Sequence, residues 1–374
     1  MKSLRRKLQY GVLALSFGVS VASLQAQQYI FTNNNDSGGN NSTTVLSVNG
    51  AGAVRAIKTY PTGGKSAGGG YFALTPVTFA HTRLGYCVLV SNGGDGTIAA
   101  FQANLFSGVL TPAKGSPFPD GMSTAQKFGI GLAVGANRLL FAGNTSNNSI
   151  SVMQISATCK LTLLQQVSAH GSPAGMRVTP DGKYLIMGYI GQVDSFAIDY
   201  PTGKLTELGP FNTQGSAAGV EISCDGSTAF FGDAASNTQV EVFSIDSFGS
   251  LKETDNFTTN NGQSSNNVLL SPDGTHLYVS NTSSNQITTL SVGAKGALTY
   301  DGTVKLNKPG VFALGLAMGS RPNLFVSEQN NPEAIGVLTV SGNTVKEVLG
   351  SPFQVMKNGL DPAGLTAVPP RGCK

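Results

Sequence analysis

Tryptophan is absent from the 374 residues, histidine occurs three times, and Asp, Glu, Lys and Arg together make up 12% of the chain. The missing tryptophan excludes any repeat built on a Trp-Asp pair and any tryptophan-derived quinone. Scarce charge excludes a nucleic-acid surface, which needs clustered Lys and Arg. The formal net charge of +4 belongs to the leader, where Lys2, Arg5, Arg6 and Lys7 stand without a single acid; beyond residue 26 the chain is neutral overall. Amphipathic helical periodicity is also missing, so a serine nucleophile on a strand-to-helix elbow has no setting here. Gly63-Gly64-Lys65 lacks the spacing and the following helix of a phosphate loop. The four cysteines, Cys87, Cys159, Cys224 and Cys373, are too scattered for a metal site, have no histidine partners, and imply no cofactor.

The first residues form a pattern of their own. Four basic residues, an apolar run over 10–22 and a small-residue stretch ending at Ala26 match a secretory signal peptide, so residues 1–26 are read as leader and 27–374 as the mature domain. The apolar run is shorter than the ~20 residues that span a bilayer. No cysteine follows it for lipid attachment. The expectation is an exported protein, periplasmic or secreted, without a stable membrane anchor, and monomeric. Export permits disulfides, and four cysteines allow three full pairings that the sequence does not rank. Cys87, inside the apolar stretch 85–90, reads as a small buried hydrophobe. Cys224 stands at a turn, and Cys373 lies in a tail that could reach a neighbouring turn.

The dominant positive feature is a repeat. Residues 172–189 read SPAGMRVTPDGKYLIMGY and residues 264–281 read SSNNVLLSPDGTHLYVSN. Each is a strand, a Pro-Asp-Gly turn and a second strand, with Pro presetting φ and Gly accepting a positive one. The residues that end the second strands, Asn92, Asn144, Tyr189, Asp233, Asn281 and Glu328, are spaced by 52, 45, 44, 48 and 47 positions. Short strands at that period make propeller blades. The unit 264–309 shows the full grammar: strands over 268–270, 277–280, 287–292 and 298–305, with a tight turn at 294–296. Inner strands are expected to begin near Gly70, Phe128, Ala174, Ala218, Asn266 and Ala313. Strands near 29–33 and 43–48 lack an inner partner upstream, and Asp361-Pro-Ala-Gly-Leu-Thr-Ala-Val368 aligns with the inner strand that begins at Ser172. The fold predicted is therefore all-β, a seven-bladed propeller of four antiparallel strands per blade, with the C-terminal strand closing the first blade. Three stretches break the period, 33–41, 63–70 and 112–129, and are expected to be loops. Oxygen ligands for calcium are conceivable in Asn33-Asn-Asn-Asp36, but the spacing is not that of an EF-hand.

The phrase Tyr278-Val-Ser-Asn281 after Ser-Pro-Asp-Gly, Phe196-Ala-Ile-Asp199 before Thr202-Gly-Lys-Leu205, and the paired Gly115-Ser-Pro-Phe118 and Gly350-Ser-Pro-Phe353 resemble the seven-bladed lactonase family, the 6-phosphogluconolactonase-like or YVTN-type propellers. The resemblance covers nearly the whole mature chain and is carried by turns and strand ends. It implies an axial funnel where His, Arg and Glu hydrolyse or form a cyclic ester. By strand order, His170 shares one face with Asn144, Tyr189, Asp233, Asn281 and Glu328, which are the candidate substrate-binding residues. Arg177 and Glu221 occupy the same slot of successive inner strands, twelve residues before Tyr189 and Asp233. The equivalent slots hold Ala80, Leu132, Leu269, Leu316 and Thr366.

Two readings follow for this charged pair. In the first, His170, Arg177 and Glu221 are catalytic, with Arg177 stabilising an oxyanion and Glu221 or His170 activating water. In the second, the pair is an inter-blade ion pair in a non-catalytic module that binds a glycan, peptide or protein partner. The partner expected is a small lactone or another neutral polar ligand. His81 and His276 read as scaffold.

Overall fold

The computed structural model describes residues 27–35, 39–68, 74–121, 125, 129–234, 240–258, 264–307, 312–329, 334–354 and 363–368. The leader 1–26, Gly70, Phe128, Asp36, Asp361 and Cys373 lie outside the described residues. Among these residues no helix is long and apolar enough to cross a membrane. The strands form seven blades around one axis. In blade one Gly364–Val368 is innermost, followed outward by Gln28–Asn33, Asn40–Val48 and Val54–Lys65. Tyr29 to Asn33 pair antiparallel with Gly364 to Val368, so the C-terminal strand closes the ring as expected. That pairing leaves neither end of the ring with a free edge.

Blades two and three follow the same order: Val77–Thr82, Gly85–Asn92, Thr97–Asn104 and Val109–Pro112, then Ile130–Val134, Leu139–Asn144, Ser149–Ile155 and Leu161–Ser168. In blade four Gly175–Val178 is innermost. One long strand, Tyr184–Asp199, supplies the next two layers by folding back at Gly191, where φ is 78° and the Ile198 N–H reaches the Lys183 carbonyl. Lys204–Glu207 is outermost. Blade five runs from Phe211–Ile222 through Thr228–Asp233 and Val240–Ile245 to Leu251–Phe257. Blade six contains Ser265–Leu270, His276–Asn281, Gln286–Val292 and Leu298–Lys305, and blade seven Phe312–Met318, Asn323–Gln329, Ala334–Ser341 and Thr344–Glu347.

The repeated turn owes its shape to one carboxylate. In blade six Asp273 Oδ1 accepts from the Ser271 hydroxyl at 2.6 Å and the Thr275 N–H at 3.1 Å, while Ser271 Oγ accepts from the His276 N–H at 2.9 Å. Asp225 and Ser223 repeat the arrangement in blade five, and Asp181 and Thr179 in blade four. The glycine that follows has φ near +75° in all three, at 80°, 74° and 72°. Cys224 replaces the proline without altering the turn.

Apolar side chains collect between blades rather than in one centre, because each twisted sheet buries both faces against its neighbours. Each of the seven inter-blade interfaces carries its own cluster. The interface of blades two and three also holds the disulfide Cys87–Cys159, whose Cα atoms are 5.5 Å apart. Cys87 is therefore more than a small hydrophobe. Cys224 is disulfide-bonded as well, and no described cysteine is free.

Two of the expected loops contain strand residues. Val54–Lys65 pairs on both sides of the glycines, Ser42 facing Pro61 and Asn40 facing Lys65, with the register shifting between them; a Cβ at Gly64 would lie 2.3 Å from Asn92 Nδ2. After Pro112 the chain bends and returns as Phe118–Pro119 to pair with Thr97 and Ile98. Phe353 pairs with Ile335 in the same way in blade seven. Both Gly-Ser-Pro-Phe motifs contain a cis Ser-Pro bond, and each serine hydroxyl takes a strand N–H, from Ala100 and Val337, at 2.9 Å. The motif thus finishes a blade edge that a four-residue outer strand leaves uncovered. The inner strand of blade two starts at Val77, later than expected.

Candidate functional site

The inner strands enclose an axial cavity of about 510 Å³. Leu74, Ala218 and Leu314, all buried, pack together at the N-terminal end of these strands. From there the cavity runs to Ser271 and Pro272 of the blade-six turn, so it approaches the face that carries the Pro-Asp-Gly turns. Its wall presents polar and apolar surface in about equal parts, with Phe79, Leu269 and Leu316 beside Thr78, Asn267 and Thr366.

Arg177 and Glu221 meet in this wall. Arg177 Nη2 donates to Glu221 Oε2 at 3.0 Å, with the arginine side chain 39% and the glutamate 15% exposed. Glu221 Oε1 accepts the Ile222 N–H at 3.1 Å, so both carboxylate oxygens are engaged. Arg177 Nε is buried without a hydrogen-bond partner. The pair arises because blades four and five share one turn length, which puts Arg177 opposite Ile186 and Glu221 opposite Phe230, three residues before each strand end. Leu269, Leu316 and Thr366 also reach the wall as expected. Leu132 does not, while Ala80 lines the cavity and also packs into the apolar core between blades two and three. In these two blades counting twelve residues back lands at other pairings, with Ala80 opposite Cys87 and Leu132 opposite Ala142.

His170 lies apart from this pair and does not line the cavity. It follows the outer strand of blade three, and its Nδ1 lies 2.6 Å from Glu207 Oε1 and 3.4 Å from Asp194 Oδ2. Asp194 is fully buried. Burial, then the charge of Glu207, pushes its carboxyl up to about 7, against the lowering effect of His170. The Tyr189 phenol is pushed up by burial and by the nearby Asp194 charge, and its hydroxyl donates to Gln192 Oε1 at 3.0 Å.

The residues that end the second strands are interior. Asn144, Asp233, Asn281 and Glu328 have no exposed surface and Tyr189 has 2%. Asn144 donates to Ser149 and Ser151, Asp233 accepts the Ser216 N–H, and Asn281 bridges Ser265 and Thr288. Glu328 packs under Gly336. These side chains hold their own blades' strand ends and loops together, and none lines the axial cavity.

The imidazole that does line the cavity with Arg177 and Glu221 is His81, exposed near the end of the innermost strand of blade two and packed edge-on against Tyr86 at 5.1 Å. The signal available in the sequence was position, since His81 directly follows Ala80, the residue that counting back from Asn92 selects. His276 binds Thr275 and Asn343 beyond the blade-six turn.

The family model described as "Lactonase, 7-bladed beta-propeller" matches residues 118–222 and 235–314. No curated protein sequence matches significantly. Among solved structures, a candidate 6-phosphogluconolactonase from Bacteroides fragilis is similar with a TM-score of 0.73 at 18% identity, covering 93% of this chain and 99% of that one. The periplasmic gluconolactonase of Pseudomonas aeruginosa is similar with a TM-score of 0.67 at 18% identity, covering 87% of this chain and 97% of the other. A virginiamycin B lyase from Staphylococcus aureus also aligns, with a TM-score of 0.55 at 17% identity over 78% of this chain and 87% of that one. At these identities the likeness carries the fold, and a lyase among the neighbours illustrates that one fold hosts different chemistries.

Proposed function

The chain belongs to the lactonase family of seven-bladed propellers, and from that premise we propose that it hydrolyses a lactone in the axial cavity. The observation that carries the reading is the Arg177–Glu221 pair, an ion pair in the cavity wall with the guanidinium partly open to the cavity. Attack on a lactone carbonyl builds negative charge on its oxygen, and a fixed guanidinium beside it lowers that barrier. Glu221, held at both oxygens, positions Arg177. His81 on the same wall is the general base: it takes a proton from water as the water attacks, and returns one to the ring oxygen as the ester bond breaks. Among the described lining residues Arg177 is the sole cation and is already paired, while Thr78, Asn267 and Thr366 offer neutral hydrogen bonds. An unphosphorylated sugar lactone suits this lining better than a phosphorylated one, which would want several cations.

We further propose that the chain is exported. The leader pattern, the disulfide between blades two and three, and the likeness to a periplasmic gluconolactonase all support this.

A non-catalytic reading draws on the same pair. With both oxygens of Glu221 occupied, the pair can serve as a fixed recognition element for a neutral polyhydroxy ligand. The test is hydrolysis of a panel of aldonolactones by wild type, Arg177→Gln and His81→Ala, against the spontaneous rate. Turnover that falls in both variants supports the enzyme. Wild-type rates equal to the spontaneous ones sink it, and saturable binding of the same sugars would then favour the binding module.

A further inference from the structure

We propose that His170, Asp194 and Glu207 form a binding site for one divalent transition-metal cation, with zinc the ion it suits, between blades three and four and separate from the axial cavity. Each residue offers one ligand atom, and the three atoms lie within 4.8 Å of one another. Two carboxylates converge on one imidazole, so the group carries an excess of negative charge that a divalent cation neutralises. Asp194 is the anchor. Its side chain is fully buried and turns Oδ2 toward His170, while Oδ1 has no hydrogen-bond partner. A buried carboxylate is costly to hold charged, and a cation beside it lowers that cost.

The geometry needs little adjustment. Zinc bonds of about 2.0–2.2 Å to nitrogen and oxygen place tetrahedral ligands about 3.3 Å apart. His170 Nδ1 and Asp194 Oδ2 already stand 3.4 Å apart. The 2.6 Å contact from His170 Nδ1 to Glu207 Oε1 must open, and these two side chains, 44% and 36% exposed, have room to do so. Binding uses the Nδ1 lone pair, so a proton carried on that nitrogen leaves to solvent as the metal–nitrogen bond forms. One imidazole with two carboxylates favours zinc over calcium and magnesium, which prefer all-oxygen sets. Three protein ligands leave a further position for water.

The experiment is calorimetric titration of the full chain, freed of tag and treated with chelator, with zinc chloride in buffers of different ionisation enthalpy. Wild type is expected to take up one equivalent with proton release, and tenfold excess magnesium should not compete. His170→Ala and Glu207→Gln, both at partly exposed positions, are expected to weaken affinity by at least about tenfold. These two variants carry the test independently of the buried anchor. Uptake that is not saturable, that is unchanged in both variants, or that magnesium displaces would overturn the proposal, whatever the outcome for lactones.

Discussion

Removing the disulfide between blades two and three, by Cys87→Ala with Cys159→Ala, should cost several kilocalories per mole. The two cysteines are 72 residues apart. In the chain-entropy account, closing a loop of that length in the unfolded chain stabilises the native state by about 4 kcal/mol at 25 °C. An unfolding entropy near 2.1 cal/mol/K per residue, over roughly 350 residues, makes ~0.7 kcal/mol/K, so the expected fall in melting temperature is about 6 °C. Both sulfurs are buried and sit in the apolar cluster between these blades, so alanine leaves no polar group stranded there. Differential scanning calorimetry without reductant, with near-ultraviolet circular dichroism as a check on packing, measures the difference. Reductant should lower the wild-type transition further than the double substitution does, because Cys224 is disulfide-bonded too. A double variant melting within about 1 °C of wild type would refute the loop-closure reasoning.

Arg177→Gln should lower kcat for a sugar lactone about 10²–10³-fold while leaving the melting temperature within a few degrees, the usual scale for losing one oxyanion donor. His81→Ala should lower kcat about 10²-fold or more, and an unchanged kcat would remove it from the chemistry. Asp273 is held down to about 2 chiefly by the Ser271 hydroxyl, and the Ser223 hydroxyl likewise holds Asp225 below the usual range. Because both folded values lie below the unfolded one, their contribution is present above about pH 4 and is lost as pH falls toward 2. Urea midpoints measured across that window should fall less steeply for Asp273→Asn than for wild type. Gly64→Ala should destabilise by about 1–3 kcal/mol, since its new methyl must displace the Asn92 amide, and an equal urea midpoint would show that the strand edge yields freely.

The fold was legible because turns repeat more faithfully than strands. The Asp in each Pro-Asp-Gly phrase takes the same hydrogen bonds in blades four, five and six, even where Cys224 stands for proline. The pairing of Gly364–Val368 with Gln28–Asn33 followed from that phrase alone. Legibility failed where blades depart from the common turn. Counting from Asn92 and Asn144 lands on Ala80 and Leu132, both apolar, and passes over His81, which lines the cavity beside Ala80. Glycine clusters misled in another way. Gly63 and Gly64 read as a loop, yet they are strand residues left small by a neighbour's approach.

The same limit explains why Asp194 and Glu207 escaped notice beside His170. A repeat fixes inner strands by shared turns, but it does not say which side chains in the outer layers of blade four meet the neighbouring blade. Charged side chains in those layers have no repeated slot to stand out from. Arg177 and Glu221 were visible because their neighbours in the ring are apolar, and Asp194 was invisible because nothing in the sequence marks it as buried. The consequence reaches chemistry. The axial pair faces an open cavity with its charges balanced, while the His170 group gathers two acids around one base and leaves a buried oxygen without a donor. A neutral ligand suits the first and a cation the second, so one ring separates two kinds of recognition by the faces its strands present.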